Sequence, residues 1–152
     1  MENGKTIDVL NTLITINNDR IEGYVTAAKE TEEQDLKTLF AQFSANSQKC
    51  KTELINEVSK LGGAPAEGTM ASGKFYRVWM DVKAALTGKD RKAILNSCEY
   101  GEDVAKATYE KSLKNDAEDL SAKLQNLIKA QHALLVIDHD KIKSMRDASA
   151  TA

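Results

Sequence analysis

The chain predicts an all-α fold, a bundle of long amphipathic helices. Three observations carry that expectation. Apolar residues recur at three- and four-residue intervals along most of the 152 residues. No stretch alternates apolar and polar residues as a half-buried strand would. There is a single proline among eight glycines, and Gly62, Gly63, Gly68 and Gly73 gather around Pro65, so residues 1–152 read as one domain with one long irregular crossover at 62–90.

The elements follow in order. Ile7, Leu10, Ile14, Ile21, Tyr24 and Ala28 share a helical stripe that predicts a first helix over about 6–30, interrupted at Asn17. Thr31 and Gln34 have the spacing of a capping box, and a second helix over 32–61 carries Leu36, Leu39, Phe40, Phe43, Leu54 and Val58. Gly62-Gly63 stops it. "FYRVWMDVKAAL" makes a short helix over 74–87, Asp90 caps a helix over 91–114, "KND" turns the chain, and a last helix runs over 117–147.

Tight turns near Thr31 and Asp116 make two antiparallel hairpins. A glycine-rich crossover with a short extra helix can return the chain to the starting end, giving the order up-down, crossover, down-up. That order is the ferritin-like four-helix bundle. An up-down bundle with a peripheral helix is the alternative.

Bulk properties exclude several functions. A formal net charge of −2 gives no electrostatic footprint for nucleic acid. "ALLVI" at 133–137 is the longest aliphatic run and is far too short to cross a membrane. "MENGKTID" does not resemble a secretory leader. Two cysteines without paired spacing suggest neither a disulfide framework nor a zinc site, so the cytoplasm is the expected setting.

Placing residues at about 100° intervals around each helix sets Asn17, Ser47, Cys50, Cys98, Glu102, Gln131 and Asp138 inside the apolar stripes. Asp19 points outward; Glu22, Glu53 and Glu99 sit at the flanks. Counting from the two turns brings Asn17 opposite Ser44–Ser47 and Glu102 opposite Gln131, near mid-bundle. A carboxylate at that level raises the question of a metal. A di-iron centre asks for two glutamates plus two Glu-x-x-His motifs, and this chain has no Glu-x-x-His and only His132 and His139. The candidate metal set is therefore atypical: Glu102 and Glu99, with Glu53 or Glu57 and His132, for iron or another divalent ion. The competing expectation is no cofactor, with Glu102 hydrogen-bonded to Gln131, Tyr24 or Tyr109 because an unpaired buried carboxylate is costly.

"GTMASGKF" (68–75) falls short of a phosphate-binding loop, since Phe75 replaces the magnesium-binding hydroxyl and no strand precedes it. No small-molecule substrate is identifiable. Cys50 and Cys98 differ in height by about 10 Å, beyond disulfide reach. Arg77 can clamp the short helix to Glu99, with Trp79 packing beside it. Val9, Ile16, Val136 and Ile137 face away from the core and form a seam for a homodimer.

"LNTLI" (10–14), "GYVTAA" (23–28), "GKFYRVWMDVKAALTGKD" (73–90), "CEYGEDVAKATYEKSL" (98–113) and "HDKIKSMRD" (139–147) resemble an uncharacterised bacterial ferritin-like family, related to a large bacterial set known only as a domain of unknown function. The resemblance implies a cytoplasmic ferritin-like bundle, stress-associated by analogy and without an established activity. It carries Glu99 and Glu102 of "CEYGED" forward as the candidate site. The leading expectation is a non-enzymatic, homo-oligomeric bundle with a structural mid-core polar layer. The alternatives are an iron-binding or redox protein and a helix-face interaction module.

Overall fold

The computed structural model describes residues 3–68, 84 and 91–150. Among the described residues are four long helices, α1 (Gly4–Glu30), α2 (Gln34–Lys60), α3 (Arg91–Asn115) and α4 (Ala122–Ala150), with a single 3-10 turn at Ala117–Asp119 and no strand. No helix is long and apolar enough to cross a membrane, among the described residues. The expected short helix over 74–87, with Arg77 and Trp79, and most of "GTMASGKF" lie outside the described residues.

The side-chain contacts fix the course of the chain. Arg20 of α1 meets Glu102 of α3 while Asn17, one turn earlier, meets Tyr109, so α1 and α3 run in opposite directions. Asn46 reaches Asp138 and Cys50 reaches Gln131, which sets α2 against α4 in the same way. With each hairpin antiparallel, the four helices run up, down, down, up.

The helix boundaries have local causes. After Lys60 the chain closes a Schellman motif, with Gly63 N–H donating to the Val58 carbonyl (3.0 Å) and Gly62 N–H to that of Ser59 (3.0 Å). Gly62 takes φ +79°, which L side chains rarely adopt. Gly63 is needed for space: a Cβ there would lie 2.8 Å from Cδ1 of Ile7. Beyond it the chain lies along α1. Asn11 Nδ2 donates to the Ala64 carbonyl (3.1 Å), Ala66 N–H to Asn11 Oδ1 (2.8 Å), and Asn18 Nδ2 to the Gly68 carbonyl (2.9 Å).

Several expectations are corrected. The Thr31–Gln34 capping box does not form: Thr31 closes α1, its Oγ1 accepts from Glu33 N–H (3.3 Å), and α2 begins at Gln34. The last helix starts at Ala122 rather than 117, because Ser121 Oγ accepts from Leu124 N–H (3.2 Å) and caps it there. Asp19 is buried, as are Val9 and Ile16, because α1 is covered on more than one stripe, with all five residues 16–20 buried. The helix-one half of the proposed seam is therefore core; on α4, Val136 is half-buried and Ile137 remains 63% exposed.

The apolar interior is divided in two. One cluster gathers Leu10, Leu13, Ile14, Leu54, Val58, Tyr109, Leu124 and Ile128. The other gathers Tyr24, Leu36, Phe40, Phe43, Ile94, Leu95, Cys98 and Ile142. Polar side chains from all four helices occupy the level between them.

Candidate functional site

The middle level is built by residues that each helix turns inward at its own mid-length: Asn17 and Arg20 from α1, Ser47 from α2, Glu102 from α3, and Gln131 and Asp138 from α4, all buried. At its centre Arg20 Nη2 donates to Glu102 Oε1 (2.6 Å) and Asp138 Oδ2 (3.1 Å), while Nη1 donates to Ser47 Oγ (2.5 Å). Tyr24 O–H donates to the same Glu102 oxygen (2.5 Å), and its ring lies 5.6 Å from the Arg20 guanidinium carbon. Phe40 stacks on that ring at 5.6 Å and Phe43 meets it edge-on at 5.3 Å, which holds the phenol in place. Asn46 Nδ2 donates to both Asp138 oxygens, at 3.2 and 3.3 Å.

A second tier, uncharged apart from Glu53 at its edge, lies two turns away along α4. Asn17 Nδ2 donates to Tyr109 Oη (2.8 Å), and Tyr109 O–H donates to Gln131 Oε1 (2.7 Å). Gln131 Nε2 then donates to the Cys50 carbonyl (3.1 Å) and to Glu53 Oε1 (3.0 Å). Glu102 Oε2, Arg20 Nε and Asn17 Oδ1 have no hydrogen-bond partner among the described residues.

The electrostatics follow from burial and from charge arrangement. Burial alone would lower the Arg20 pKa, but Glu102, Tyr24 and Asp138 outweigh it and hold the guanidinium firmly protonated. Burial pushes the Asp138 carboxyl above its usual range; Arg20 opposes the rise and Glu102 adds to it. Tyr24 is pushed well above an ordinary phenol by burial and by the neighbouring Glu102 charge. The thiols are inert: burial raises Cys50 to about 11 and lifts Cys98 further, and both are free cysteines.

The five sequence-derived ligand candidates are dispersed over several contacts. Glu102 lies at the centre, paired with Arg20 and Tyr24. Glu99, one turn before it, faces α4 and pairs with Arg146. Glu53 accepts from Gln131, Glu57 pairs with Lys60 (3.2 Å) and Lys123 (3.6 Å), and His132 pairs with Glu110 (2.9 Å). Of the partners expected for Glu102, Tyr24 is present; Gln131 and Tyr109 instead bond each other. Their level differs from expectation because both cross-pairs, Glu102 with Asp138 and Tyr109 with Gln131, are centred on Leu120, not Asp116. The 3-10 turn and Ser121 belong to the connection, which moves α4 by about two turns.

Arg20 is the residue that sequence reasoning missed. The signal was present: Asn17, Arg20, Tyr24 and Ala27 have the alternating three-and-four spacing of a core stripe. An arginine at such a position reads as a solvated flank unless a carboxylate opposite is considered.

The arrangement is a closed charge layer in which a guanidinium occupies the space between two carboxylates. Comparison with curated proteins finds no match. The pattern of one protein family covers residues 5–115, which includes α1, α2 and α3 with Arg20, Tyr24 and Glu102. The chain belongs to that family, described as a domain of unknown function, DUF2383.

Proposed function

We propose that this protein is a non-enzymatic bundle of ferritin-like topology, whose interior charged layer is structural and whose biological role is exercised through its outer helix faces. The up, down, down, up course of the helices supports the topology. The observation that carries the reading is Arg20 Nη2, set between Glu102 and Asp138 at 2.6 and 3.1 Å. A di-metal bundle would satisfy inward carboxylates with cations at this level; here the guanidinium meets that demand, and its planar fork suits two acceptors. A cytoplasmic, stress-associated setting belongs to the same proposal, and the two free thiols agree with a reducing compartment.

The competing reading is an iron or redox centre using Glu102 and Glu99 with Glu53, Glu57 or His132, for which Arg20 would have to leave Glu102. Elemental analysis of purified protein after iron addition, with Glu102→Gln as control, separates the two. Iron content is expected to be equal in both proteins. One iron or more per chain, lost in Glu102→Gln, overturns the structural reading.

A second reading, self-association as a homodimer through α4, is favoured by Ile137, an aliphatic side chain 63% exposed. Light scattering over a concentration series tests it with Ile137→Glu. The wild type is expected to gain mass with concentration and the variant to stay monomeric. A wild type that is monomeric throughout removes this reading.

A further inference from the structure

Outside the middle layer, α3 and α4 bring together three side chains of metal-ligating type. Glu99 and Asp103 stand one turn apart on α3 and so share a face, and His139 enters from α4. One ligand atom from each lies within 4.8 Å of the others, the one such group of three among the described residues. His139 Nε2 is 2.7 Å from Asp103 Oδ1 and 3.8 Å from Glu99 Oε1. A tetrahedral ion with bonds of about 2.0–2.2 Å holds its ligand atoms roughly 3.3–3.6 Å apart. One separation must open and the other close by a few tenths of an ångström up to somewhat under one, within the reach of side-chain rotation.

The surrounding groups orient the three. His139 Nδ1 lies 3.3 Å from Asp140 Oδ1, so an outer carboxylate can hold the Nδ1–H tautomer and turn the Nε2 lone pair toward Glu99 and Asp103. The second oxygen of Glu99 is held by Arg146, leaving Oε1 for the cluster. His139 is 9% exposed, so its ring is fixed by packing. The Asp103 side chain is 54% exposed, which leaves a water-facing side to the cluster.

With the ring proton on Nδ1, the Nε2 lone pair faces Asp103 Oδ1 and Glu99 Oε1, where a metal ion can lie between them; with it on Nε2, the ring donates to Asp103 instead. Among the described ion pairs Arg146 meets Glu99 and Asp147, while Asp103 and Asp140 meet His139 alone, so carboxylate outnumbers cation here and favours a doubly charged ion.

We propose that Glu99, Asp103 and His139 form a binding site for one borderline divalent transition ion, of the Zn2+ class, clipping α3 to α4 with water completing the coordination. Imidazole with two carboxylates suits Zn2+ better than Mg2+ or Ca2+, which prefer oxygen alone. Binding exchanges the ion for any proton held on Nε2. The site shares no residue with the Arg20 layer and stands whether or not that layer is structural.

Isothermal titration of the full chain with zinc chloride tests the proposal, alongside thermal melts with and without zinc. The wild type is expected to bind one ion per chain and to melt at higher temperature when loaded. His139→Ala should abolish both effects, and Asp103→Asn, a change at an exposed position that the fold tolerates, should weaken binding about tenfold or more. His132→Ala should bind zinc as the wild type does. The proposal is overturned by the absence of saturable one-to-one binding, by undiminished binding in folded His139→Ala, or by an equal loss in His132→Ala.

Discussion

Arg20 and Glu102, separated by 82 residues in sequence, meet at 2.6 Å in the middle of the bundle, each 1% exposed. Removing either partner strands the other's charge in a site closed to water. Replacing a whole buried ion cluster by neutral groups is often close to harmless, whereas breaking it costs about 3–5 kcal/mol. Arg20→Met is therefore expected to lose about 3–5 kcal/mol of unfolding free energy. Combining it with Glu102→Gln and Asp138→Asn should recover most of that loss. Urea denaturation of the two variants checks the pair; a single variant within about 1 kcal/mol of wild type would contradict the desolvated-cluster account.

Asp138 gives a pH dependence of definite sign. Its carboxyl is raised above the ordinary value of 3.8, chiefly by burial, so between that value and the folded one the native state binds more protons than the unfolded state. Its contribution is fully present below 3.8 and is lost as pH rises through the folded value. Asp138→Asn should remove this decline. Unfolding free energies measured from pH 4 upward should fall less steeply for the variant than for wild type; parallel curves would show that Asp138 titrates normally.

The thiols should be slow to label. With a pKa of about 11, Cys50 has about one thiolate per thousand molecules at pH 8, and Cys98 has fewer. Ellman's reagent is expected to modify both only as the protein opens, at rates that rise with denaturant. Rapid stoichiometric labelling of the native chain would show that the interior admits reagent.

The two glycines after α2 should respond differently to the same change. Gly62→Ala forces an L side chain to φ +79° and should cost about 1–2 kcal/mol, with nothing within 4 Å to clash. Gly63→Ala meets Ile7 at 2.8 Å, so Ile7→Val, which trims that side chain, should relieve part of its cost. For Gly62→Ala the Ile7 change should add independently. A double-mutant cycle on melting curves separates the two mechanisms.

Helix periodicity was enough to turn Asn17, Ser47, Cys50, Cys98, Glu102, Gln131 and Asp138 inward, because one stripe per helix faces the core and all seven lie on it. It failed where burial exceeds one stripe. On α1, Val9, Ile16 and Asp19 are buried on sides expected to face solvent, and the chain at 64–68 laid against Asn11 and Asn18 shows that this helix packs against more than its helical neighbours. The level at which residues meet was legible only as far as the connection could be counted. Treating "KND" as the whole turn displaced α4 relative to α3, since the Ser121 cap, not the apolar pattern, decides where that helix begins. Arg20 was hidden for a chemical reason: its inward placement depends on two acidic residues 82 and 118 positions away, which no local window contains.

The division of the interior into two apolar clusters shapes how the molecule breathes. Water entering from the end near Thr31 would dissolve the contacts of Phe40, Phe43, Leu95 and Ile142 and then reach Arg20, Glu102 and Asp138, groups that welcome hydration. Past that point it meets the second hydrocarbon compartment, where hydration gains nothing. Partial melting should therefore halt at the arginine, and deuterium uptake should proceed in two stages, with amides around Leu13, Leu54 and Ile128 the last to exchange.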